Sequence, residues 1–332
     1  MTEIALLATG GTIATRAAVG GRSVQVDAAE LLSAARAAGA PPDLRVVPRD
    51  AAATVSFAAG VSDVLALADA VRDAATWADG VVITHGTDTL EETAMLLALT
   101  HTGDQPVVLT GAQRPFDDPA PDGPHNVATA LTWAAAPEAR GTGVAVAFGS
   151  ALLPAVGVRK SHTLALDAFT APGRGPIGHV DESGLRALGH APQVPLLPPG
   201  LRELPDVEVL VQYLGVAPRV ADTAAGVVLA GFGAGNATPT TMRLCLDLLE
   251  SGTPVLVTSR TGAGPVTGLY AGGGADLQAA GAVFAGDLSP WQARFLLAAG
   301  LAVEENSDRV SRCCSEWLQA TGTIPLPRGN RV

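Results

Sequence analysis

Short apolar runs that end in glycine, serine or threonine alternate along the chain with longer stretches of helical period. That alternation predicts βαβ units around a parallel sheet. Residues 4–8, 44–47, 81–84, 107–109 and 144–148 read as strands, each apolar enough to be covered on both faces. Between them, residues 27–38 read as a helix with Asp27 as N-cap, Glu30 completing a capping-box-like start and Gly39 ending it. Residues 62–77 and 90–100 read as further helices. The stretch 190–205 holds Pro192, Pro195, Pro198, Pro199 and Pro205, a density that stops both helices and central strands. Beyond it the rhythm resumes, with strands at 207–214, 227–232 and 255–258 and helices at 240–251 and 290–301. The expected fold is α/β, with a larger N-terminal parallel-sheet α/β domain (1–189), a proline-rich linker (190–205) and a smaller C-terminal α/β domain (206–332).

Composition narrows the function. The chain has 332 residues, a length that favours two domains at about 150 residues each. Apolar residues make up 48% and charged residues 16%, which supplies folded cores and excludes extended disorder. The net charge of −11 opposes binding to phosphate backbones and anionic membranes, so neither nucleic acid nor membrane is expected as a partner. Cys245, Cys313 and Cys314 form neither a disulfide framework nor a zinc spacing, which fits a reducing compartment. The N-terminus has no basic n-region and runs at once into Gly10-Gly11, so it reads as a first strand rather than a signal. A soluble, cytoplasmic protein is expected.

Four segments carry candidate chemistry. Ala8-Thr9-Gly10-Gly11-Thr12-Ile13-Ala14 stands where the first strand ends, the edge at which parallel sheets bind ligands. Its glycines allow a sharp turn and close ligand approach, although a tight turn with capping threonines would explain it equally well. Thr84-His85-Gly86-Thr87-Asp88-Thr89-Leu90-Glu91-Glu92-Thr93 enters a helix N-terminus, where free N–H groups favour an anionic ligand or an oxyanion. A cap needs one polar residue and here three are consecutive, which favours function over capping. One histidine with carboxylates makes a weak metal set, and no metal or organic cofactor is expected. Arg159-Lys160 is a cationic pair in apolar sequence; a solvated lysine is the ordinary case, and only a neighbouring hydroxyl or carboxylate would make Lys160 a base or charge relay. Gly231, Gly233 and Gly235 alternate before Asn236 and do not make the dinucleotide pattern.

Taken together, the segments around Thr12 and around Thr87 to Thr93 resemble the two signatures of the bacterial L-asparaginases. The likeness continues through Gly111-Ala-Gln-Arg-Pro115, Asp122-Gly-Pro-His-Asn126, Lys160, Gly231 to Asn236 and Ser259-Arg260, nearly the whole chain. The resemblance implies an amidohydrolase that converts L-asparagine and water to L-aspartate and ammonia. Thr12 would be the nucleophile, and Thr89, Asp88 and Lys160 a second hydrogen-bonded set. Ser56, Gly11, Gly86, Thr87 and Asp88 would bind substrate, and Asn236 and Tyr270 would reach a partner subunit's site in a homo-oligomer, dimer or tetramer. Three departures stand out. Residues 15–25 lack the tyrosine that the mobile loop of well-known members carries, Phe57 stands where a glutamine is common, and residues 266–274 lack an acid. Two alternatives remain: a glutaminase-asparaginase of mixed specificity, and a catalytically weak amino-acid-binding protein on the same scaffold.

Overall fold

A computed structural model describes residues 2–181 and 183–324. The chain divides into two compact units, one running to Pro195 with Pro199–Arg202, the other comprising Leu196–Pro198 and the chain from Glu203.

The first unit contains β1 (Glu3–Gly10), β2 (Thr15–Ala18), β3 (Gly21–Val24), α1 (Ala28–Ala37), β4 (Arg45–Thr54), α2 (Val61–Ala74), β5 (Gly80–Thr84), α3 (Leu90–Thr100), β6 (Val107–Thr110) and α4 (Gly123–Ala134). It continues with β7 (Val144–Phe148), β8 (Ala151–Pro154), β9 (Arg159–Lys160), β10 (Phe169–Thr170), β11 (Gly178–Asp181) and β12 (Gly184–Ala187). Eight of these strands form one sheet in the order β12-β11-β8-β7-β6-β5-β1-β4. From β4 to β7 all neighbours are parallel, with Ile4 opposite both Val46 and Gly80, and β8, β11 and β12 extend the sheet antiparallel.

Strand alternation divides the apolar residues between two faces. Ile4, Leu6, Ala8, Val82 and Val108 join Leu31, Val127, Leu131 and Trp133 in one core under α1 and α4. Because α1 and α4 pack together while the chain crosses the sheet in opposite directions through them, their two crossovers have opposite hands. One is therefore the rare exception to the right-handed rule. The strand order also sets the site. After β1 the chain moves outward to β4, then returns to β5 on the other side of β1, so a crevice opens between the C-terminal ends of β1 and β5. Both signature segments begin there.

The structure differs from the sequence reading in several places. The strand expected at 44–47 runs on as β4 to Thr54: Ala8 pairs with Asp50 and Gly10 with Thr54, and the low-propensity alanines 51–53 fall in the register shift between those two pairs. It is an edge strand, which is why Pro48 is tolerated in it. Residues 15–24 are an antiparallel hairpin, β2–β3, turning at Val19 and Gly20, where a loop was expected. Asp27 caps α1 by accepting from Glu30 N at 2.8 Å, but the Glu30 carboxylate pairs with Arg16 instead of closing the box.

The second unit contains β13 (Val207–Val211), β14 (Gly226–Gly231), α5 (Pro239–Glu250), β15 (Val255–Ser259), α6 (Gly274–Ala279), β16 (Val283–Phe284), α7 (Pro290–Val303) and α8 (Ser307–Ala320). Its four strands are parallel and consecutive, β13-β14-β15-β16. Leu210, Val227, Leu229, Val255 and Val257 pack there with Met242 and Cys245 of α5. All three cysteines are free, and burial pushes the Cys245 thiol up to about 12. Among the described residues no helix is long and apolar enough to cross a membrane.

Candidate active site

At the end of β1 the backbone takes left-handed φ angles of 98° at Gly10 and 79° at Gly11, which glycine adopts at little cost. Gly11 N donates to Thr54 O at 3.0 Å, so β4 holds the turn from one side. On the other side a Cβ at Gly11 would run into the backbone of His85 and Gly86, and a Cβ at Gly86 would strike the Ser56 side chain. Gly11, Gly86 and Ser56 are therefore stacked in direct contact, and the two signature loops meet through their glycines. Thr12, half-buried, opens a single 3-10 turn and accepts the Thr15 hydroxyl on its carbonyl at 2.9 Å. Its own hydroxyl has no hydrogen-bond partner among the described residues.

The second loop follows β5. Thr87 is buried and Asp88 is exposed. Lys160 Nζ donates to Thr87 Oγ1 and to Asp88 Oδ1, both at 2.8 Å. The Lys160 side chain is 18% exposed and its backbone N–H donates to Glu91 Oε2 at 2.7 Å, so α3 fixes the short strand β9 that carries the lysine. Lys160 is thus drawn between a hydroxyl and a carboxylate, not solvated. The expected set of Thr89, Asp88 and Lys160 is rearranged: the Thr89 hydroxyl donates to Ser56 O at 3.1 Å, and Thr87 takes the place beside the lysine. The reason is local. Thr89 is already the N-cap residue of α3, and its side chain leans toward the Ser56 turn without capping the helix.

Behind these residues stand groups to which the sequence reading gave no catalytic or binding role. His85 is buried, with Nδ1 at 2.8 Å from Gly86 O and Nε2 at 3.2 Å from Thr93 Oγ1; burial holds its pKa below the usual imidazole value. Asn126 donates from Nδ2 to Gly111 O and accepts Gly149 N on Oδ1, while the Asp122 carboxylate accepts Gln113 N and Arg114 N. These bonds brace the loop after β6, whose Gly111 lies against His85 and Thr87 of the second motif. Phe57, beside the buried Ser56, is 74% exposed.

Asn236 and Tyr270 belong to the second unit. Asn236 Oδ1 accepts Gly274 N at 3.2 Å, and a Cβ at Gly273 would crowd that same oxygen, with Tyr270 in ordinary contact nearby. Tyr270 is 63% exposed. Ser259 donates to Gly233 O at 2.6 Å, and the Arg260 guanidinium lies 4.8 Å over the Phe232 ring. Among the described residues no cluster of three histidine, cysteine or carboxylate side chains could hold a metal.

Comparison with known proteins agrees with this geometry. Residues 3–193 match the family described as "Asparaginase, N-terminal", and residues 206–313 match "Glutaminase/Asparaginase C-terminal domain". The chain is 34% identical to a probable L-asparaginase of Deinococcus radiodurans, over 95% of this chain and 98% of that one. It is 30% identical to a glutaminase-asparaginase of Pseudomonas fluorescens, over 96% and 91%. A crystal structure of a probable cytoplasmic L-asparaginase from Campylobacter jejuni superposes with a TM-score of 0.83 at 32% identity, covering 95% of this chain and 99% of that one. Two matched domains, in order and over most of the length, place the chain in the asparaginase family.

Proposed function

We propose that this protein hydrolyses L-asparagine to L-aspartate and ammonia through a covalent intermediate on Thr12. The observation that carries the reading is Lys160 held at 2.8 Å from both Thr87 and Asp88, beside the glycine contact that joins this loop to the Thr12 turn. A threonine hydroxyl is a weak nucleophile until a neighbour takes its proton. Thr12 offers a hydroxyl with no hydrogen-bond partner among the described residues, and Thr87, whose oxygen accepts from the Lys160 cation, orients the attacking water. The Thr12 oxygen attacks the side-chain amide carbon, the C–N bond breaks, and ammonia leaves with the proton the hydroxyl gave up. Water then cleaves the ester, releasing aspartate and returning a proton to Thr12. The Thr87 N–H, which has no acceptor among the described residues, is available to the developing oxyanion. Ser56, Gly11, Gly86 and Asp88 surround the place where the substrate's amino and carboxylate groups would bind.

The same chemistry serves L-glutamine, since one methylene shifts selectivity by only about 1–3 kcal/mol. We place the enzyme in the cytoplasm, supported by its three free cysteines, and read it as a homo-oligomer in which Asn236 and Tyr270 approach a partner's site. Steady-state ammonia release from L-Asn, L-Gln and D-Asn tests the reaction. Thr12→Val keeps the side-chain shape and should lower turnover by several powers of ten. Wild-type turnover in Thr12→Val, or tight L-Asn binding without ammonia release by the native chain, overturns the reading.

A further inference from the structure

The buried His85 is a titratable group at the site that the reaction above leaves unused. A carbonyl only accepts, so the Nδ1 atom at 2.8 Å from Gly86 O carries the ring proton, and Nε2 accepts from the Thr93 hydroxyl at 3.2 Å. α3, through Thr93, thus fixes the ring, and the ring fixes the Gly86 carbonyl. All described peptide bonds are trans, so with that carbonyl turned to His85 the next N–H, that of Thr87, points the opposite way. Gly86 is gripped laterally by Gly11 and Ser56. His85 and Gly86 also line a cavity of about 310 Å³, together with Ser56, Thr9, Val64 and Leu67. Contact with Gly11 and Ser56 limits where Gly86 can sit, and the hydrogen bond from His85 fixes which way its carbonyl points.

We propose that His85 is a positioning residue, whose bond to the Gly86 carbonyl sets the Gly86–Thr87 peptide so that the Thr87 N–H and hydroxyl meet the substrate. This rests on the hydrolase reading above. Asparagine places its amide nitrogen near the position of imidazole Nδ1, whereas glutamine reaches the position of Nε2. His85→Asn therefore keeps the donor to Gly86 O and His85→Gln keeps only the contact with Thr93, although glutamine comes closer to histidine in volume. The expected order of kcat for L-Asn is wild type, then His85→Asn within about threefold, then His85→Gln and His85→Ala lower by about tenfold or more, a loss of the size a buried hydrogen bond carries. A role in packing alone predicts the reverse order for asparagine and glutamine, and that result overturns the proposal. If His85→Asn does not fold, added imidazole with His85→Ala decides: the cavity gives it access, recovered kcat supports the proposal and no recovery overturns it. The two failures are distinct, because a wild-type chain that releases no ammonia refutes the hydrolase reading, whereas normal wild-type turnover with the reversed order refutes only the role of His85.

Discussion

Two threonines stand two residues apart in the second signature, and the structure assigns them different partners. Thr87 is 5% exposed with Lys160 Nζ at 2.8 Å, whereas Thr89 is half-buried with its hydroxyl 3.1 Å from Ser56 O. Valine matches threonine in shape, so exchanging either isolates its hydroxyl. Thr87→Val deletes a bond to a cationic donor, about 1.5–3 kcal/mol, and with it any proton transfer at that oxygen, typically about 10²–10⁴ in rate. Thr89→Val deletes a neutral bond of about 1 kcal/mol, about fivefold. That bond tethers the Ser56 turn to α3, so the loss should appear in KM. The expected result is kcat for L-Asn reduced at least about 100-fold in Thr87→Val. In Thr89→Val, kcat should stay within about threefold while KM rises about fivefold. Steady-state ammonia release measures both, and thermal melts confirm that each variant is folded. If Thr89→Val loses as much kcat as Thr87→Val, the assignment of the Lys160 partner to the catalytic set is refuted.

Acid should destabilise the fold through its buried histidines. Burial lowers the pKa of both His85 and His101 below the usual 6.5, so the unfolded chain binds more protons than the folded one in acid; their contribution is full above pH 6.5 and is lost as pH falls through that value toward the folded pKa. The melting temperature of wild type should therefore drop more between pH 7 and pH 5 than that of His101→Asn, and equal drops would contradict this. Tyr270→Phe removes only the exposed hydroxyl, so if that group closes a partner's site, kcat/KM should fall about tenfold with melting temperature and oligomer mass unchanged; unchanged kinetics would return Tyr270 to a surface aromatic.

The parts of the fold legible in the sequence are those where a continuous apolar run meets a strong stop. β5 and α3 sit within a residue of their expected bounds because fully buried valines and isoleucine end at Thr84, and the helix begins after three polar residues. β4 was half legible. Its first residues are apolar, but the stretch from Asp50 to Thr54 is strand because β1 pairs with both of its ends, at Ala8–Asp50 and Gly10–Thr54, and tertiary pairing leaves no mark in local composition. The hairpin β2–β3 carries alanine and arginine on exposed positions, so its only local signal is Gly20-Gly21 at the turn.

The site divides along the same line. Its loops were legible because Gly11 and Gly86 are required where two backbones touch, and a pair of glycine-bearing turns at strand ends is rare enough to recognise. Which threonine Lys160 serves was not, because the lysine arrives from a two-residue strand 73 positions beyond Thr87 and no spacing distinguishes residue 87 from residue 89. The deciding bond is the one from Lys160 N to Glu91 Oε2, which fixes β9 against α3 one turn below the loop. Glu91 was visible in the signature as an acid in the first turn of a helix, the least remarkable place for one. Its carboxylate holds the backbone of the residue that reaches Thr87 and Asp88. Glu91→Ala removes that acceptor while leaving the Lys160 and Thr87 side chains in place, so kcat for L-Asn in steady-state ammonia release should fall; wild-type kcat in Glu91→Ala would contradict this role for the bond.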